Sequence, residues 1–263
     1  MRTIRILQSA LIIAIIAIAV CLTSCDDNDD KVIAPGIGDY DLNEATLRTE
    51  GYTKVFEDNF NTSLDLWDIW TGGAYNNELQ YYQASNLVVT DGILAIKAKK
   101  ETVEGQSVPG SGEMKTFGYT SGRIESNFEI TPTVAAGQVR ISARIKLPEG
   151  YGMWPAFWSY SEPWPTHGEI DIMEALGNSD TDSYHVYEVI WSKDSLVFIL
   201  DGVIVDTKLA SSPGNNYISE FFGKPEHIVL NAAIGGDIFP NFDAGKIKTA
   251  DMYVDWVKIF TKP

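Results

Sequence analysis

Cysteine is nearly absent: the 263 residues contain two, Cys21 and Cys25, both close to the N-terminus. The body of the chain therefore has no disulfide framework and no thiolate metal site. His167 and His185 are separated and have no cysteine partners, so they are poor evidence for a catalytic metal. Basic residues are also scarce, 20 Lys and Arg against 36 Asp and Glu, and the formal net charge is −16. That balance repels phosphate backbones and excludes nucleic acid as a natural partner. A sustained 3.6-residue period is missing too, as are internal repeats. What the chain has in quantity is apolar and aromatic: 44% hydrophobic residues and 11% aromatic ones, with seven Trp and twelve Tyr. This is enough for a large core and for a ring-lined surface besides.

The N-terminus has its own character. Residues 1–24 combine Arg2 and Arg5 with an apolar stretch over 10–22 and read as a signal peptide. The stretch is short for a spanning helix, which needs about 20 residues. "LTSC" resembles the lipobox of bacterial lipoproteins, which implies cleavage before Cys25 and lipidation of that cysteine. An ordinary signal with an incidental cysteine has the same outline. The acidic "DDNDDK" that follows resembles a surface-export signal of Gram-negative lipoproteins. It implies a lipid anchor in the outer membrane and display on the cell envelope. Residues 25–50 read as an acidic flexible tether, and 51–263 as the folded domain.

From Gly51 onward the signals are those of strands. Segments such as "VRISARIKL" (139–147), "YHVYEVIW" (184–191) and "HIVLNAAI" (227–234) are rich in β-branched and aromatic residues. Asp91-Gly92 and Asp201-Gly202 stand between apolar runs, where two-residue hairpin turns need positive φ. Many short strands with few helices predict an all-β sandwich.

"THGEIDIMEALG" (166–177) is the most informative stretch. Alternation puts Glu169 and Asp171 on one strand face, with Ile170 and Ile172 on the other. Glu174 is three steps from Asp171 and belongs to that face only if Ile172 and Met173 together form a β-bulge. The result is a row of three carboxylates. Like charges this close raise one another's pKa, a useful property where one carboxyl must stay protonated beside an ionised one. Retaining hydrolysis of a glycosidic bond needs such a pair. An exposed strand face that happens to be acidic would read the same way.

The same residues resemble a known family. "GEIDIMEALG" is similar to the signature of glycoside hydrolase family 16, in the bulged form of its laminarinase-like members. "NNELQYY", "DGILAIKA", "YTSGRIES", "ARIKLPEGYGMWPAFW", "YHVYEVIW", "LNAAIGG" and "MYVDWVKIF" follow in that family's order. The resemblance implies a β-jelly-roll sandwich of two antiparallel sheets, concanavalin A-like, with a sugar cleft on the concave sheet. It implies Glu169 as nucleophile, Asp171 as assisting carboxylate and Glu174 as acid/base. Trp154, Trp158 and Trp164, with Asn77, Glu78, Arg144 and His167, are the implied substrate contacts. Each tryptophan could equally be core, and the polar residues ordinary turn or surface groups. The chemistry requires no cofactor. Some relatives hold a structural calcium on the convex side, where Glu57 or Asp58 and Asp255 stand here; solvated edge charges explain those residues as well.

The implied activity is endo-hydrolysis of β-1,3- or mixed β-1,3/1,4-glucan by a monomer. Galactan hydrolysis (agarase, carrageenase or porphyranase type) and a non-catalytic glycan-binding lipoprotein are the alternatives. The short "GNSDTDSY" (177–184) leaves no room for the longer segment usual in such relatives, so the sheet closes differently or one side of the cleft is open. Ser142 stands where the family usually has a glutamate.

Overall fold

The computed structural model describes residues 40–130, 137–177, 183–239 and 241–263. The signal segment, Cys25 and the tether as far as residue 39 lie outside the described residues, as does 178–182 of the short segment. The chain begins with α1 (Glu44–Thr49), β1 (Thr53–Asp58), β2 (Trp67–Ile69), β3 (Gln80–Tyr82), β4 (Leu87–Thr90) and β5 (Ile93–Ile96). Next come β6 (Val103–Gln106), β7 (Met114–Phe117), β8 (Tyr119–Ser121) and β9 (Arg123–Ser126). The longer strands β10 (Gln138–Lys146), β11 (Met153–Tyr160), β12 (Glu169–Glu174) and β13 (His185–Ser192) follow. The order ends β14 (Ser195–Leu200), β15 (Val203–Leu209), α2 (Tyr217–Phe221), β16 (His227–Ile234) and β17 (Met252–Lys262).

These strands build the expected sandwich. The larger sheet runs β15-β14-β13-β10-β17-β5-β4, with β1 also paired to β17, and the smaller runs β12-β11-β16-β9-β2. All pairings within both are antiparallel. Both predicted hairpin turns form, with Asp91 and Asp201 at φ 50° and 49° followed by Gly92 and Gly202 at 77° and 76°. Val139, Ile141, Ala143 and Ile145 of β10 face Met153, Phe157, Ile228, Leu230 and Ile234 of the smaller sheet in one core. Burying each large aliphatic or aromatic side chain there contributes about 1.5–3 kcal/mol.

The alternate residues of β10 point to the convex side. Arg140 there donates Nε and Nη2 to the two carboxylate oxygens of Glu188, at 2.7 and 2.8 Å, and Ser142 donates to Glu188 Oε2 at 2.7 Å. The pair is sealed by the N-terminal segment. Leu42 and Leu47, on and beside α1, pack with Tyr52, Val186, Trp256 and Phe260 in a second apolar cluster. This corrects the expected boundary at residue 50: from Tyr40 the chain is packed, because Leu42 and Leu47 present apolar surface to the convex sheet. Asn43 caps α1, accepting the N–H of Thr46 at 3.1 Å.

Candidate active site

Strand β12 carries the bulge its spacing predicted. Glu169 pairs with Tyr160, Asp171 with Trp158 and Glu174 with Ala156, and the register slips between Trp158 and Phe157. Two residues of β12 thus oppose one of β11, and all three acids fall opposite same-face positions of β11. Ile170, Ile172 and Met173 are buried in the core behind them. Burial first, then Glu174 and Glu169, hold the Asp171 carboxyl well above the usual carboxylate range. Burial also raises Glu174, assisted by Glu169 and opposed by a hydrogen bond from Trp154. Burial and like charge thus favour the protonated forms of Asp171 and Glu174, the condition a general acid needs.

Indoles stand at both ends. Trp154 donates Nε1 to Glu174 Oε1 at 2.9 Å, and Trp164 donates Nε1 to Glu169 Oε2 at 2.9 Å. Trp164 is part-exposed at 39% and lies against Tyr75, ring centroids 5.6 Å apart, forming a flat apolar rim above Glu169. Trp158 donates to Asn231 at 2.8 Å, Asn231 reaches Tyr82, and Tyr82 donates to Glu78. Glu78 is buried, which raises its pKa, and accepts from Gln80 at 2.6 Å. Asn77 lies next to it on the loop and donates to Asp237 at 2.9 and 3.0 Å.

Arg144 is not in this cleft. It belongs to β10 of the larger sheet and pairs with Asp255 at 2.6 Å on the convex side, over the ring of Tyr184. The cleft's cation is instead Arg123 of β9. It lies 4.2 Å from the Trp70 ring and 5.1 Å from Trp158, and pairs with Glu125 at 2.6 Å, to which Tyr160 also donates. Strict alternation in "GRIES" held the signal, since Arg123 and Glu125 share a face opposite Ile124. His167 borders a small cavity together with Glu169 and Glu226, its ring 6.3 Å from Phe221.

The expected calcium ligands do not fit a cation. Glu57 accepts Lys54 at 2.6 Å and lies 3.5 Å from Lys258, while Asp255 is held by Arg144. Asp58 accepts the N–H of Phe60 and the indole of Trp67, at 2.8 and 2.7 Å. Among the described residues no group of three His, Cys, Asp or Glu is placed to hold a metal.

β12 is the edge of its sheet among the described residues, paired to β11 alone. Beside it, Asp171, Glu174, Tyr187, Phe198 and Leu200 border a shallow recess.

A family model described as "XgeA-like, catalytic GH16 domain" matches residues 74–188, which contain the whole carboxylate strand. That stretch is similar to the catalytic domain of glycoside hydrolase family 16. The laminarinase catalytic domain of Thermotoga maritima superposes on this chain with a TM-score of 0.68 and 25% identity, over 81% of this chain and 99% of that one. The endo-β-1,3-glucanase of Pyrococcus furiosus gives 0.66 and 28%, over 81% and 95%. In sequence, the glucan endo-1,3-β-glucosidase A1 of Niallia circulans is 28% identical over 80% of the chain. The chain spans only 38% of that larger protein.

Proposed function

We propose that the protein is a retaining endo-glycoside hydrolase of β-1,3- or mixed β-1,3/1,4-glucan. The observation that carries this reading is the one-sided row of Glu169, Asp171 and Glu174, capped at both ends by indoles. Glu174, whose pKa burial raises, protonates the leaving glycosidic oxygen while Glu169 attacks the anomeric carbon from the opposite face. Departure of the first product leaves Glu174 ionised, and it then takes a proton from the water that hydrolyses the glycosyl ester on Glu169. Asp171 stands between them as a neutral donor, able to orient the nucleophile without adding charge. Trp158, Trp164 and Tyr75 offer the flat faces against which sugar rings pack. Several of the similar proteins are named as glucanases of this linkage class, which supports the choice of substrate.

The deciding measurement is reducing-sugar release from laminarin, lichenan, agarose, carrageenan and xyloglucan, with Glu169→Gln as control. Release from laminarin or lichenan is expected, and loss of at least about a thousandfold in Glu169→Gln. Binding without release from any polymer would overturn the enzyme, and release that persisted in Glu169→Gln would overturn the assignment of the nucleophile. For its location we propose a monomer anchored by lipid on Cys25 at the bacterial outer surface. The support is "LTSC" and the acidic run after it. Cys25→Ser abolishes labelling by a radioactive fatty acid if this is right.

A further inference from the structure

A small cavity, with room for about one water, lies at the Glu169 end of β12 and beside α2. His167, Glu169, Tyr217 and Glu226 border it, with Trp191 and Phe221 among the apolar walls. Two of these polar groups lack what the other can give. Glu226 is 2% exposed and has no ion-pair partner among the described residues; its one side-chain hydrogen bond comes from the Ser159 hydroxyl. Burial pushes its carboxyl up to about 7, so over the acidic range it is a neutral acid with an O–H to donate. Nδ1 of His167 is buried and has no hydrogen-bond partner among the described residues. A buried polar atom left unsatisfied costs about 1–3 kcal/mol, and in the tautomer protonated at Nε2 this nitrogen is an acceptor. Other charge nearby is accounted for: Glu129 pairs with His227 at 3.7 Å, and Glu220 binds Asn216 at 2.6 Å.

The backbone says what this pair would hold. Glu226 is fixed by two hydrogen bonds with Ile130, 2.8 and 2.9 Å, so it is the stationary partner. His167 closes the loop from Ser161 to Gly168, whose ends meet through the N–H of Ser161 and the carbonyl of Gly168. Trp164, at the tip of that loop, donates to Glu169.

We propose that Glu226 and His167 are positioning residues: the Glu226 acid donates to Nδ1 of His167 across this cavity through one water, and so holds Trp164 over Glu169. The proposal rests on Glu169 being the nucleophile. It predicts that a donor at 226, rather than a charge, is what matters.

The test compares Glu226→Gln, which keeps a donor, with Glu226→Met, which has none. Nitrogen-15 spectra of the three histidines are recorded, with His167 assigned by its loss in His167→Phe. His167 Nδ1 is expected at the position of a hydrogen-bonded acceptor in the parent and in Glu226→Gln. It moves to the unbonded position in Glu226→Met, while His185 and His227 stay. On laminarin, kcat/KM falls about tenfold in Glu226→Met, chiefly through KM, and stays within about twofold in Glu226→Gln. An unmoved His167 signal in Glu226→Met overturns the proposal. If Glu226→Met does not fold, His167→Phe keeps a ring on Phe221 and removes the acceptor; the same tenfold fall is expected, and unchanged kcat/KM refutes the pair. Absence of activity on every glucan would refute the function instead, leaving the histidine spectrum to decide this point alone.

Discussion

Exchanging Glu226 for glutamine removes one titration from the folded chain and leaves its shape. The carboxyl titrates at about 7 when folded, against 4.5 in the ordinary group. At about 1.4 kcal/mol per pH unit that gap is worth about 3 kcal/mol. The sign follows from a raised folded pKa. The native state holds its full share of stability below pH 4.5, loses it as pH climbs through 7, and gains nothing back above that. The glutamine side chain has no proton to lose, so the variant escapes the loss. Urea unfolding followed by tryptophan fluorescence, at intervals from pH 4.5 to 8, should show parent and variant separated by a constant offset at the acid end. The variant then gains about 3 kcal/mol on the parent by pH 8, equivalent to about 6–12 °C in Tm for a chain of this size. Other ionisable groups are common to both proteins and cancel in the difference. A difference independent of pH would show that Glu226 is not a buried titrating acid, and the reasoning would fail.

Trp154→Phe removes the N–H that favours the ionised form of Glu174. Its pKa then rises further, and the alkaline limb of the pH–rate profile moves to higher pH; an unmoved or lowered limb contradicts the acid/base assignment. Asp171→Asn keeps a neutral donor and should retain more activity than Asp171→Ala, since Asp171 is held protonated by burial and its neighbours; equal loss in both would show that ionisation is needed. Arg140→Ala leaves Glu188 buried at 0% exposure without its cation. Denaturant titration should record a loss of about 3–5 kcal/mol.

Much of this was legible from residue order. The two-then-three spacing of Glu169, Asp171 and Glu174 has few solutions on a strand, and a bulge is the one that keeps Ile170, Ile172 and Met173 in the core. The hairpin turns were legible for a similar reason, since Asp-Gly takes up positive φ at low cost. Arg144 shows where such reading stops. Alternation says which residues share a face, but not which sheet the strand joins, and β10 joined the sheet away from the cleft. Leu42 and Leu47 were too few to signal a packed helix, because their partners Val186, Trp256 and Phe260 lie more than 130 residues further on. That Glu226 and His167 border one cavity was hidden in the same way, since only the sheet order β12-β11-β16 brings residues so far apart in sequence together.

The open side of β12 has a consequence for folding rather than for chemistry. An edge strand held by a single neighbour is prone to slippage, and a shift by one residue would turn its acids into the core and its isoleucines outward. Three carboxylates forced inward would be far costlier than the few hydrogen bonds such a shift preserves. Pairing of two such edges from separate molecules would likewise crowd like charges along one face. The acids to which we assign polymer cleavage are thus also what fixes the alignment of their own strand and discourages aggregation through it.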